Sequence, residues 1–334
     1  MTDSVFITGG AGFVGYYTTL ELLRGGHDVT VYDAFLNYID PRESNYHRYL
    51  AMRRDHLGDS AHIVRGDTRN LAALTSALAE AKPDTVIHLA AIPLAAASNQ
   101  FSEDAIQINL NGTMAVLEAV RAAPSVQRVV FASSSFVYGN FQREPADEDH
   151  PTDPIDVYGG TKLAGEALVK GFGRRFGVEF VIVRLSAVYG PTDANRRVTQ
   201  IFVENALLGR PLVLHEGGSS RVDFTYCEDA AQGLALAGLH PAAANETFNI
   251  TRGEGRSLKE LAEIVSELVP GTVTEEHPAT EPRPERGALD IGRARRVLGY
   301  EPRMSLEAGM ENYVGFVRES GVLGSRDRLV TTVG

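Results

Sequence analysis

Through the first half of the chain, short apolar runs alternate with longer segments of helical periodicity. Residues 4–8, 28–32, 62–64, 85–89, 128–132 and 180–184 form brief runs rich in valine and isoleucine. Strands covered on both faces have this pattern. Between them, residues 14–24, 71–81, 104–122 and 158–176 carry apolar side chains at helical spacing. Such alternation predicts βαβ units and a parallel sheet wound in both directions.

The rhythm changes after Val188-Tyr189-Gly190-Pro191. A helix over 199–208, a short strand at 211–214, a loop at 216–221, a helix over 228–239, a strand at 247–250 and a helix over 258–268 are predicted. Residues 270–286, rich in proline, glutamate and threonine, read as an irregular loop over a cleft, and helices over 291–298 and 306–319 close the ordered chain. The reading is α/β: a Rossmann-type doubly wound parallel sheet with a smaller α+β C-terminal lobe that holds the substrate. Residues 1–188 make the first domain, to which the chain returns near 222–250, and 189–221 with 251–325 make the lobe.

Composition narrows the function. With 334 residues and 43% hydrophobic content, a large core forms without a staple. Cys227 is the sole cysteine, so no intrachain disulfide forms, and it reads as a small buried apolar residue in a reducing compartment. A net charge of −11 disfavours a general nucleic-acid binder. No apolar run reaches the roughly 18 residues of a membrane span, and no leader precedes the first strand. The expectation is a cytoplasmic protein with neither nucleic-acid nor membrane partners and no metal.

The first strand runs into Thr8-Gly9-Gly10-Ala11-Gly12-Phe13-Val14-Gly15. Glycines here permit a tight turn, close approach of backbone to a pyrophosphate, and packing of the helix on the strand. The helix start at Phe13 and Val14 offers N–H groups to the anion. Asp33, ending the second strand, can accept both adenosine ribose hydroxyls and would repel a 2′-phosphate, which favours NAD over NADP. Two later loops suit the same cofactor. In Arg65-Gly66-Asp67-Thr68, Asp67 can take the adenine amino group or cap a helix, and Leu89-Ala90-Ala91 lets the backbone pass close.

Tyr158 and Lys162 stand at i and i+4, on one helix face. Tyrosine titrates near ~10, but a nearby cation favours the phenolate, so the pair can remove a hydroxyl proton while the adjacent carbon gives up hydride. Such spacing is common by chance. Ser134 adds weight, because it lies in a serine cluster at the C-terminal end of a predicted parallel strand, where open α/β sheets bind ligands.

Taken together, TGGAGFVG, RGDTRN, HLAA, INLNGT, SSSFVYG, YGGTK, RLSAVYGP, RVDFTYCEDAA and LGYEP resemble the extended short-chain dehydrogenase/reductase family, in its nucleotide-sugar epimerase and dehydratase branch. The resemblance makes Ser134 the catalytic hydroxyl and Asn109 an asparagine that helps hold the catalytic lysine. It makes Arg221 a ligand of the substrate diphosphate, with Arg283 a second one and Ser135 beside the sugar. A surface salt bridge is the alternative for Arg221. Dehydratases of the branch carry an Asp-Glu pair where this chain has Ser135-Phe136, which leaves epimerisation or ketone reduction. Residues 37–41 and the following Arg- and Tyr-rich helix up to Leu57 look like the insert of UDP-glucuronate 4-epimerases. Ala187 departs from the family, whose members often have asparagine there.

The resemblance implies an NAD-dependent epimerase acting at C4 of a UDP- or dTDP-hexose through a 4-keto sugar. A 4-keto-sugar reductase is the alternative, and a cofactor-binding protein without catalysis is a third reading. It also implies a homodimer through a four-helix interface built from the helices at 104–122 and 158–176.

Overall fold

The computed structural model describes residues 3–36, 45–58, 60–278 and 284–323. Six strands follow the predicted order: β1 (Ser4–Thr8), β2 (Asp28–Asp33), β3 (His62–Arg65), β4 (Thr85–His88), β5 (Arg128–Ser134) and β6 (Glu179–Leu185). A seventh, Glu246–Ile250, pairs with β6, and the sheet order is Glu246–Ile250, β6, β5, β4, β1, β2, β3, parallel throughout. Every residue of β4 and β5 is buried, as their continuous apolar runs require when helices cover both faces. Strand order reverses between β1 and β4, which opens a crevice at their C-terminal ends.

Helices α1 (Phe13–Arg24), α2 (Tyr46–Leu57) and α3 (Leu71–Ala81) flank the first half of the sheet. The single helix expected over 104–122 is continuous but not uniform. Ser102–Ala105 is α-helical, Ile106–Asn111 is a π segment, and Gly112–Arg121 is α-helical again. A π turn adds one residue to the backbone ring and rotates the following face, and here it falls on Asn109.

Three small sheets build the rest. Val188–Tyr189 pairs with Thr225–Tyr226, Arg221–Asp223 with Gly255–Ser257, and Leu212–His215 with Thr274–His277. The last pairing corrects the expectation of an irregular loop over 270–286: its first part is a fully exposed strand, Thr-Glu-Glu-His, which carries no apolar signal to betray it. Leu258–Leu268 begins at a capping box in which Ser257 and Glu260 satisfy each other's backbone N–H groups. A shared apolar core joins α1 to this lobe through Tyr17, Tyr189, Phe224, Leu261, Met310 and Tyr313. Cys227 is buried in the same core, and burial pushes its thiol up. Among the described residues, no helix is long and apolar enough to cross a membrane.

Candidate active site

The glycine loop is shaped by collisions it avoids. Gly9 adopts φ +73°, and a Cβ there would meet the Ala90 nitrogen at 2.7 Å, so the first crossover and the Leu89–Ala91 loop are in backbone contact. A Cβ on Gly15 would lie 2.1 Å from the Gly9 carbonyl oxygen. Gly12 caps α1 without a side-chain hydrogen bond, leaving its first-turn N–H groups to an anion. Phe13 turns its ring into the core and Val14 is half-buried, so both serve this loop through backbone.

Asp33 closes the loop from β2. Its Oδ2 accepts from the Ala11 N–H at 3.0 Å and its Oδ1 from the Phe35 N–H at 2.7 Å. Burial raises its pKa, against those bonds and the nearby Arg53 guanidinium. Arg53 is itself buried and donates to the carbonyls of Ala11 at 3.0 Å and Thr192 at 2.6 Å. A loop of backbone N–H groups with a carboxylate at its rim fits a dinucleotide whose ribose is unphosphorylated. Asp67 does not cap α3; Asn70 does, accepting from Ala73 at 3.1 Å. Arg69 grips the Asp67 carboxyl at 2.6 Å and holds it below the usual range, so an adenine amino group would share that acceptor. Thr68 is buried, its hydroxyl beside Gly112.

The Val157–Phe176 helix presents Tyr158 and Lys162 to the end of β5. Asp156 caps it, accepting from Gly159 at 2.7 Å, which fixes the first turn and with it the tyrosine. The Ser134 hydroxyl stands beside the Tyr158 phenol and accepts from the Phe136 N–H at 3.3 Å. Lys162 is buried, donates to the Ala132 carbonyl at 2.8 Å, and holds its Nζ 5.9 Å from the Tyr158 ring. The phenol pKa is raised, by burial above all; the neighbouring Ser134 hydroxyl, then Arg197 and Arg286, pull it down. Lys162, the cation expected beside the phenol, donates to the β5 backbone with its Nζ over the tyrosine ring, and cations from the loops act on the phenol as well. Asn109 reaches this helix through Thr161, at 3.2 Å, and not through the Lys162 ammonium, while its Oδ1 accepts from Ile92 at 2.8 Å.

The substrate side differs most from expectation. Arg221 is a half-exposed partner of Glu144, at 2.9 Å, and also donates to the Gly255 carbonyl at 2.9 Å. The salt-bridge alternative therefore describes it in this structure. Arg283 lies outside the described residues, as do 37–41 of the insert, although the helix up to Leu57 forms. The guanidinium that does stand in the site is Arg286, which sequence reasoning missed. Its Nη1 donates to Ser135 Oγ at 3.2 Å and its plane covers the Phe136 ring at 4.0 Å. Ser135 in turn donates to Ser186 at 3.3 Å. Phe136 meets the Tyr158 ring edge-on at 5.5 Å, so Arg286, Phe136 and Tyr158 are in continuous contact. Residues 285–290 hold Arg286 there by backbone bonds from Phe141 to Glu285 and from Ala146 to Ala288. Ala187 adopts φ +34°, where asparagine is tolerated far better than alanine.

Chemically, the arrangement can hold a hydroxyl between Ser134 and Tyr158, take its proton, and place an anionic group near Arg286. Among the described residues, no cluster of His, Cys, Asp and Glu is arranged to hold a metal. Residues 5–251 match the model of the NAD dependent epimerase/dehydratase family. The UDP-glucose 4-epimerase of Mycolicibacterium smegmatis is 32% identical, over 93% of this chain and 97% of that protein. UDP-glucuronate 4-epimerase 1 of Arabidopsis thaliana is 29% identical, over 93% of this chain and 76% of its own length. The structure of a UDP-glucuronic acid 4-epimerase from Bacillus cereus, in complex with UDP-glucuronic acid and NAD, superposes with a TM-score of 0.86 at 25% identity, covering 95% of this chain and 99% of that one.

Proposed function

The chain belongs to the NAD-dependent epimerase/dehydratase family, and from that premise we propose that it inverts C4 of a UDP-activated hexose with NAD as cofactor. One observation carries the reading: Ser134 and Tyr158 come together at the C-terminal edge of the sheet, Lys162 lies one turn on, and serine and phenylalanine follow Ser134 where elimination of water would need acids. Bound NAD supplies hydride acceptance and return at the sugar carbon; the Gly9–Gly15 loop and Asp33 would hold its pyrophosphate and ribose.

The chain's own part is the proton. Ser134 orients the C4 hydroxyl and Tyr158 removes its proton, then returns it once the 4-keto sugar has presented its other face. A buried phenol resists ionising, and Arg197 and Arg286 favour the phenolate while the proton is off. Arg286 also offers its fork to the anionic part of the substrate, a contact expected at Arg221 and Arg283.

We further infer a homodimer. Phe101, Ile106 and Phe176 are exposed apolar side chains around the helices at 102–121 and 157–176, which is the surface a four-helix interface would cover. A reducing, cytoplasmic setting fits Cys227, the one cysteine, buried and unpaired.

The test is direct. Purified protein incubated with UDP-glucose or UDP-glucuronate should yield the C4 epimer by proton NMR. Tyr158→Phe should lower turnover by about 10²–10⁴-fold with NAD binding retained. Protein that interconverts no nucleotide sugar, yet consumes NADPH with a 4-keto sugar, is a reductase and the proposal fails.

A further inference from the structure

The Val157–Phe176 helix carries a third charge in line with the acid–base pair. Tyr158, Lys162 and Glu166 recur at four-residue spacing and so share the face turned to the sheet. Glu166 is 1% exposed, and proton transfer as described above gives it no task. Arg184 on β6 grips it with a fork, Nε to Oε1 at 2.9 Å and Nη2 to Oε2 at 2.8 Å. Glu166 also accepts the Ser133 hydroxyl at 2.5 Å. The remaining arginine nitrogen, Nη1, donates to the Tyr138 phenol oxygen at 2.9 Å and to the Glu148 carbonyl at 3.0 Å. Tyr138 donates in turn to Asn249 Oδ1 at 2.7 Å.

A buried ion pair such as this is weak evidence of stabilisation. Two charges give up their hydration to reach such a site, and apolar residues of equal volume often hold it as well or better. Its contacts, however, converge on the reacting groups. Ser133 precedes Ser134, Tyr138 ends the 3-10 turn that begins at Ser135, and Lys162 lies one turn up the helix. Other groups face Lys162 as well. On its own helix there is Tyr158; from β5 come the Ala132 carbonyl at 2.8 Å and the Phe131 ring at 5.2 Å; from β4 comes His88. His88 is held neutral, its pKa pushed down to about 3 by burial first and Lys162 second. Burial pushes Lys162 itself down to about 8, and Glu166 is the anion that opposes this.

We propose that Glu166, clamped by Arg184, is a positioning residue for proton transfer: it fixes the end of β5 that carries Ser134 and keeps the buried Lys162 an ammonium. The proposal rests on Ser134, Tyr158 and Lys162 being the catalytic group. Its test includes a readout that needs no substrate. The chain has four lysines, at 82, 162, 170 and 259, so ε-carbon-labelled lysine gives few NMR signals, and Lys162→Arg identifies the one that matters. In Glu166→Gln holoenzyme the Lys162 titration should move about one pH unit lower, and the alkaline limb of kcat should move with it. Glu166→Asp, which keeps the charge, should restore both midpoints.

Should an unpaired Arg184 prevent Glu166→Gln from folding, Glu166→Gln/Arg184→Met removes both charges and should move both midpoints in the same direction by a smaller amount, because a repelling guanidinium leaves with the attracting carboxylate. A lower melting temperature with both midpoints unmoved would make the pair merely structural and overturn the proposal. Wild-type protein that turns over no nucleotide sugar would count against the epimerase reading instead, and the lysine titration would still decide whether Glu166 controls Lys162.

Discussion

Gly15→Ala tests whether the cofactor loop is as tight as its geometry. The added Cβ would lie 2.1 Å from the Gly9 oxygen, 2.7 Å from the Gly10 Cα and 2.9 Å from the Gly9 carbonyl carbon, where ordinary contact begins at 3.4 Å. The shortest of these falls 1.3 Å short (3.4 minus 2.1), and every obstacle is backbone, so no rotamer change relieves it. Moving the loop strains Gly9 N–H to Tyr32 at 2.8 Å, Gly12 N–H to Gly9 at 3.0 Å and Ala11 N–H to Asp33 at 3.0 Å. Overpacking costs roughly 1–3 kcal/mol and a lost hydrogen bond about 1 more. If that total of about 2–4 kcal/mol falls on the state that binds the nucleotide, affinity drops by roughly 30- to 1,000-fold.

Isothermal titration of nucleotide-stripped protein with NAD measures this, and thermal melting with and without NAD separates lost binding from lost folding. Wild-type affinity to within about threefold, with an unchanged melting temperature, would mean that the loop yields freely. The geometric argument would then be wrong.

Further consequences follow from single residues. Gly171→Ala, on an open helix face with nothing within 4 Å, should stabilise the protein by about 0.5–1 kcal/mol in urea unfolding. Arg286→Gln removes a cation that favours the Tyr158 phenolate, so the acid limb of the kcat/KM profile should move to higher pH. Asp223 is fully buried, and burial raises its carboxyl to about 7 although Leu289, Thr251 and Gly253 donate to it. The fold therefore holds a proton that the unfolded chain has released. Its contribution is complete below the unfolded pKa near ~3.9 and is lost as pH rises toward about 7, at up to ~1.4 kcal/mol per pH unit. Urea midpoints falling between about pH 4 and 7, with a shallower fall in Asp223→Asn, would bear this out; a midpoint rising with pH would not.

Much of the sheet was legible because buried parallel strands announce themselves. The 71–81, 258–268 and 306–319 helices fall where their apolar periodicity puts them, and the crossover glycines mark the crevice without any neighbouring information. What escaped notice had no local signal. Thr274–His277 is a strand of exposed polar residues, held by pairing with Leu212–His215, and two-residue ladders such as Val188–Tyr189 with Thr225–Tyr226 exist only through their partners. The π segment at Ile106–Asn111 costs one backbone residue and leaves helical periodicity nearly intact.

Charge was harder to read than fold, and the reason is physical. Which arginine serves the site depends on what each side chain meets: Glu144 stands beside Arg221 and captures it, while the ring of Phe136 stands beneath Arg286. Both partners are distant in sequence from their arginine, so no motif spacing could separate the two roles. The same holds for the acid–base pair. Helical spacing does bring Lys162 near Tyr158, with one of its three N–H donors on the Ala132 carbonyl, but burial raises the phenol against that cation. The phenolate also draws on cations carried by loops, one of which is pinned to the Phe141–Ala146 segment by backbone bonds. Variants that loosen those bonds without touching Tyr158 should therefore alter its pH dependence, which a reading confined to the Tyr-Lys pair would not anticipate.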